Sequence, residues 1–196
     1  KVAEENKTYS SDDGLLLDKK GITLIKCPEG RSGSCSLPEG LINIGDGAFR
    51  GCVKLTEVIL PEGITGIGSR TFSECNGLTA MQFPDSLTSI GDYAFSSCGG
   101  LTTITIAKGI TTIGSFAFTD CQSLKSVTLG DEITTLGNSV FSECRNLTSV
   151  EVLGRAIRAT TDVFRNSPAI IYVQPAAQGW GPVWNDRFVK PVNEKP

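Results

Sequence analysis

Phenylalanine returns at a fixed step of 23 residues: Phe49, Phe72, Phe95, Phe118, Phe141 and Phe164. A constant step held this long restricts the chain to architectures in which one small unit is laid repeatedly beside its neighbour. Cysteine keeps the same step three residues later, at Cys52, Cys75, Cys98, Cys121 and Cys144, and Ser167 takes the next position. Aliphatic residues follow at Leu55, Leu78, Leu101, Leu124, Leu147 and Ile170, then at Val58, Met81, Ile104, Val127, Val150 and Val173. A third column holds Leu60, Phe83, Ile106, Leu129 and Val152. The resulting L-x-x-V-x-L spacing predicts a short strand with one face turned inward.

A turn such as Pro61-Glu62-Gly63 leads to a second apolar pair, Ile64 with Ile67, repeated as Leu87 with Ile90, Ile110 with Ile113 and Ile133 with Leu136. Gly68, Gly91, Gly114 and Gly137 follow, where glycine permits a turn that side chains would block. Next stand Asp46, Ser69, Asp92, Ser115, Asn138 and Thr161, residue types whose side-chain oxygens cap helices. The x-A-F-x-x-C run is therefore expected to form a short helical corner, held by packing Phe and Cys inward. Gly77, Gly100 and Asn146 fall where such a turn would end in a left-handed residue.

One rung cannot bury its own apolar side, but rungs stacked about 4.8 Å apart bury each other's. The expected fold is an α/β-type repeat solenoid: a right-handed coil of 23-residue rungs with a parallel β-sheet on one side, short helical corners and capped ends. Its packed interior implies no pocket. Residues 1–36 break the period and are expected to form an N-terminal cap with a hairpin, Gly14 to Leu17 returning through Ile22 to Ile25, and an irregular first rung. Residues 37–173 hold five regular repeats and a degenerate one, in which Ala156 and Ala159 replace larger aliphatics. Residues 174–196 are expected to form a C-terminal cap, with Trp184 sealing the last rung, and a loose tail.

The chain contains no histidine, which removes the commonest general base and metal ligand. Its formal net charge of -3 offers no positive field for a phosphate backbone, so nucleic acid is not an expected partner. No apolar stretch is long enough to span a bilayer as a helix. No cofactor, metal site or catalytic residue is expected. A pair of carboxylates acting on a glycan is the one chemistry that needs no histidine, and nothing marks out such a pair.

The unit L-P-x-G-I-T-x-I-G-x-x-A-F-x-x-C-x-x-L resembles the BspA-like class of leucine-rich repeats found in bacterial cell-surface proteins. The resemblance covers residues 37–173. Tyr9 to Leu16 and Ile171-Tyr172-Val173 with a downstream Trp are similar to that family's flanks, whereas Gln174 and Gly181-Pro182 depart from it. The resemblance implies export, often from gut or oral anaerobes, with a signal sequence already removed before Lys1. It also implies adhesion to host matrix proteins, other bacteria or host receptors, without naming a ligand. The expected partner is an extracellular protein or glycan, and the chain is expected to be a monomer. The rival reading is a passive spacer displaying another domain.

Candidate surfaces follow from the strand spacing. Outward positions form one column of Glu57, Ala80, Thr103, Ser126 and Ser149 and a second of Ile59, Gln82, Thr105, Thr128 and Glu151, a mainly hydroxyl face that is the leading binding candidate. A turn column of Glu39, Glu62, Asp85, Lys108 and Asp131 reads as solvated turn residues, without calcium-loop spacing. The cysteine column reads as buried free thiols, one per rung, not as paired metal knuckles. Cys27 and Cys35, outside that column and flanking a Gly-containing loop, are the one pair for which a bridge is considered, beside the packing reading. Sequons at Asn6 and Asn146 matter only in a eukaryotic secretory pathway.

Overall fold

Most rungs contribute two strand segments, not one. The computed structural model describes residues 1–196 apart from Ala107, Ala176 and Pro196. The segments Asn43–Ile44, Gly66–Ile67, Ser89–Ile90, Thr112–Ile113, Thr135–Leu136 and Arg158–Ala159 pair in parallel, each with the residue 23 positions on. They continue Tyr9–Asp12, Leu15–Asp18 and Thr23–Lys26, which pair antiparallel with one another, into a nine-stranded sheet. The L-x-x-V-x-L segments build a second sheet from Thr103–Thr105, Ser126–Leu129, Ser149–Val152 and Ile170–Val173, extended by Arg187–Pro191 and Val183–Trp184. The expected single sheet is thus corrected to two strand-bearing sides. Ile44, Ile67, Ile90 and Ile113, with Thr112 and Thr135, are β-branched and suit a pleated, half-buried surface.

The second sheet is interrupted. Gly33–Ser36 pairs only with Leu55–Ile59, and residues 78–83 adopt no strand. Ala80-Met81-Gln82 replaces the β-branched residues of other rungs, and Phe83 fills a slot that elsewhere takes Leu, Ile or Val. Its ring meets Phe95 edge-on, with centroids 5.8 Å apart.

The third side is made of corners, and these are turns, not helices. Short bonds such as Ser73 N–H to the Arg70 carbonyl and Cys75 N–H to the Phe72 carbonyl curl each corner on itself. Between them, the amides of Arg70, Phe72 and Glu74 donate to the carbonyls of Asp92, Ala94 and Ser96 on the next rung, at 2.7–2.9 Å. A helix would spend all its amides along its own axis, whereas here alternate ones are turned across to the neighbour. That twist sets φ near +60° at two positions per rung: Arg70 and Glu74, Tyr93 and Ser97, Phe116 and Asp120, Ser139 and Glu143. Only the first rung meets the demand with glycine, at Gly47 and Gly51.

The expected helix caps act between rungs. Asp46 Oδ1 accepts from Ser69 N–H at 2.7 Å, Asp92 Oδ1 from Ser115 N–H at 2.7 Å, and Ser115 Oγ from Asn138 N–H at 3.2 Å. The repeated glycines also serve the stacking. A Cβ on Gly114 would lie 2.6 Å from the Asp92 nitrogen, and one on Gly77 would lie 2.5 Å from the Val53 carbonyl oxygen. Gly77 and Gly100 are therefore close-approach positions and not the expected left-handed ones, since neither has positive φ.

Inside, the six Phe rings form one stack with centroids 4.9–5.8 Å apart. Trp184 closes its end edge-on against Phe164 at 5.8 Å and donates from Nε1 to the Ile157 carbonyl at 3.2 Å. Beside the rings, the thiols of Cys75, Cys98, Cys121 and Cys144 each donate to the Phe carbonyl 26 residues earlier, at 3.0–3.2 Å. Ser167, in the cysteine register, donates to the Phe141 carbonyl at 2.6 Å.

The last rung slips. Ile171, not Val173, lies beside Val150, because Ile171 comes four positions after Ser167 where Val150 comes six after Cys144. The shortened connection through Pro168 puts Ala169 in the core and moves Ile170 out of the leucine column to pair with Ser149.

Candidate interaction face

The pleat of the six-stranded sheet sends Ile104, Val127 and Val150 inward and the residues on either side of them outward. Register then places Thr103 beside Ser126 and Thr105 beside Thr128, a square of four hydroxyls on adjacent strands. Thr103 and Thr105 are exposed, and Ser126 and Thr128 are partly covered. Side chains on a sheet of this kind stand at fixed intervals and need no rearrangement to meet a partner.

The sheet does not bring the whole sequence-derived face together. Glu57 and Ile59 lie on Leu55–Ile59, beyond the interruption, where Ser34 Oγ donates to Glu57 Oε2 at 3.0 Å. Gln82 sits in the non-strand rung. With Glu57, Ile59, Ala80 and Phe83 it lines a small cleft of about 160 Å³. At the other end Ser149 follows Ser126, but its Oγ is buried without a hydrogen-bond partner. Glu151 follows Thr128 and is engaged: Lys195 Nζ lies 2.9 Å from its Oε2 and 5.9 Å from the centroid of the Tyr172 ring. The polar square therefore ends in an ion pair supplied by the C-terminal segment.

Two further surface features escaped the sequence reading. One is an open groove of about 1070 Å³ along the flank of the last rung, lined among others by Asp131, Glu132, Leu153, Arg155, Arg158 and Gln178. It corrects the expectation of a pocketless solenoid. Ala156 and Ala159 stand in columns that elsewhere carry Ile or Leu, and that lost bulk was the available signal. The other is a half-exposed aromatic step at the corners: Tyr93 stacks on Phe116 at 4.8 Å, and Arg70 lies 4.7 Å above the Tyr93 ring.

The titratable groups show structural shifts. Burial pushes the Cys75 thiol up to about 12 and the Cys98 thiol well above its ordinary range. The Cys121 thiol is also raised, first by its hydrogen bond with Cys144 and then by burial. Glu143, partly covered at its corner, is held low by hydrogen bonds from Asn166 and Arg145. Among the described residues no group of three or more His, Cys, Asp or Glu is arranged to hold a metal ion, and no helix is long and apolar enough to cross a membrane.

The chain matches the BspA type leucine rich repeat region in six copies across residues 33–171. No curated protein matches it. Among solved structures, the pneumococcal vaccine antigen PcpA is similar over 89% of this chain and 44% of its own, with a TM-score of 0.79 and 23% identity, a likeness of fold. A leucine-rich repeat protein from Bacteroides ovatus is 27% identical over 85% of this chain and 53% of its own, with a TM-score of 0.67. A Treponema pallidum leucine rich repeat protein is 27% identical over 87% of this chain and 86% of its own, with a TM-score of 0.60. The chain thus spans about half the length of the first two.

Proposed function

The chain belongs to the BspA type leucine-rich repeat family, and from that premise we propose that it is an extracellular recognition module that binds a protein or glycan at the bacterial surface without turning it over. The observation that carries this reading is the square of Thr103, Thr105, Ser126 and Thr128, flat, polar and fixed by parallel register. Threonine and serine hydroxyls both donate and accept, which suits peptide backbone and sugar hydroxyls alike. The net charge of -3 fits a ligand recognised by hydrogen bonds more than by long-range attraction to an acidic partner. Glu57, Ile59 and Gln82 border the square across the interruption and would extend a long ligand's footprint, while Ser149 and Glu151 close its far edge.

Equilibrium binding of the chain to immobilised mucins and host matrix proteins tests the proposal. Saturable binding to at least one is the expected result. Absence of binding across both sets would favour the rival, a rigid spacer whose surface carries no ligand.

A further inference from the structure

The two outward columns of the six-stranded sheet end differently. In one, Thr105 and Thr128 lead to Glu151 and Tyr172, and the C-terminal segment closes it: Lys195 pairs with Glu151 at 2.9 Å, and Tyr172 is buried although it stands on the outer face. The other column stays open. Thr103, Ser126 and Ser149 stand side by side on successive strands, and Ile170 follows them. Ile171 pairs with Val189, which sets Phe188 beside Ile170, and Phe188 pairs across the terminal hairpin with Val183. One continuous column thus runs from hydroxyls into three apolar side chains.

Phe188 is 70% exposed and Val183 53%, the highest values for large apolar side chains among the described residues. Neither is loose. Asn185 and Asp186 have φ of +49° and +60°, as a two-residue hairpin turn requires. Beneath the hairpin, Trp184 packs edge-on against Phe164, Arg187 donates to the Phe164 carbonyl, and Asn185 Nδ2 donates to the Thr160 carbonyl at 2.9 Å. With Trp184 and Arg187 held inward, strand alternation turns Val183 and Phe188 outward. Phe188 also walls an open cleft of about 620 Å³ together with Pro168, Ala169 and Ile170.

We infer that the ligand of this sheet is a protein segment and not a glycan: an extended stretch that crosses the strands, hydrogen-bonds the hydroxyls of Thr103 and Ser126, and sets an apolar side chain against Phe188 in the cleft. The inference rests on the reading of the sheet as the recognition face. Thr103 and Phe188 lie four strands apart, about 19 Å at about 4.8 Å per strand, a distance that about six extended residues span. The polar contact and the apolar anchor of the ligand are therefore about six residues apart.

The chemistry around Phe188 separates the candidate occupants. A sugar can stack on an aromatic ring, but its hydroxyls then need partners at the ring's edge. On the sheet both neighbours of Phe188 are aliphatic, so those hydroxyls would lose water without replacement. An apolar side chain bears no such cost and gains from the burial. A second copy of this chain is disfavoured by size. The three apolar side chains expose on the order of 300 Å², against about 800 Å² per partner in a stable interface. That area suits one anchoring residue.

The test is equilibrium binding of the whole chain to immobilised mucins and host matrix proteins, each intact, stripped of glycans by glycosidases, or digested by protease. Binding should survive deglycosylation and disappear on digestion. Phe188→Ser should weaken it at least tenfold, whereas Phe188→Leu, which keeps an apolar side chain, should retain most of it. Phe188 is mostly exposed, so both variants should match the wild-type Tm. Binding that is lost with the glycans and survives protease overturns the ligand class, and full binding by Phe188→Ser overturns the anchor. A Thr103→Glu, Ser126→Glu variant tells either failure from failure of the face: lost binding leaves the face standing, and full binding removes it too. Absence of wild-type binding overturns both. Self-association of the wild type that Phe188→Ser abolishes assigns the patch to a second copy and overturns the inference.

Discussion

The Cys98 thiol donates to the carbonyl oxygen of Phe72, 3.0 Å away and 26 residues earlier in the chain. The same contact recurs on every ladder rung and is made by the hydroxyl of Ser167 at the last. The column therefore asks for a small side chain with a donor, which explains why cysteine and serine share it. Replacing Cys98 by Ala should cost about 2 kcal/mol, from lost packing and one lost hydrogen bond. Cys98→Ser, which keeps the donor, should cost less than half of that. Chemical denaturation of the two variants compares them, and equal losses would show that the bond contributes nothing.

The corners give opposite expectations depending on their conformation. Ser97 has φ of +57°. In that region glycine is at ease and a β-branched residue is strained, whereas in a helix glycine costs about 1 kcal/mol against alanine and valine less. Ser97→Gly should leave stability within about 0.5 kcal/mol, and Ser97→Val should lower it by about 1–3 kcal/mol. Thermal unfolding ranks the two variants, and a more stable valine variant would restore the helical corner.

Gly114 sets the distance between rungs. A methyl group there would stand 2.6 Å from the Asp92 nitrogen and from the Gly91 carbonyl carbon, both backbone atoms that cannot step aside alone. Gly114→Ala should cost about 3 kcal/mol, since overpacking forces the backbone to shift. The same substitution at Gly30, where a Cβ meets nothing within 4 Å, should be nearly silent. Paired Tm measurements check the contrast.

The ladder thiols predict a stability that falls in alkali. Cys75, Cys98 and Cys121 keep their protons in the folded state well beyond the ordinary thiol value of 9.0. Above that value the unfolded chain sheds protons that the folded chain retains, so stability declines as pH rises from about 9 towards 12. Each such thiol contributes a slope of about 1.4 kcal/mol per pH unit in that window and none below it. Denaturation midpoints across the range, compared with a Cys75→Ser variant, should show a shallower decline in the variant.

What the sequence made legible followed from the step itself. Equal spacing of Phe95 and Phe118 becomes a 5.0 Å ring stack because the rungs have equal length, and the burial of each cysteine follows from its place beside the ring. The corner conformation was harder to read, because Gly47, Arg70, Tyr93 and Phe116 share one column and only the first declares a left-handed backbone. The slip at the last rung lay in the two residues missing before Ile171, with Pro168 marking the place. For the face, Thr103, Thr105, Ser126 and Thr128 were placed together by alternation alone. The separation of Glu57 and Ile59 from them depended on the weak strand preference of Ala80 and Gln82, a local signal beneath a strong periodic one.

Recognition through the fixed polar face is tested most directly by two variants measured against whichever mucin or matrix protein the wild type binds. One carries Thr103→Glu, Thr105→Glu, Ser126→Glu and Thr128→Glu on the sheet. The other carries Arg155→Ala and Arg158→Ala in the groove of the last rung. Both are measured by equilibrium binding at matched Tm. The account predicts at least a tenfold loss of affinity for the sheet variant, equivalent to about 1.4 kcal/mol, and little change for the groove variant. Full binding by the sheet variant with loss confined to the groove variant would contradict it.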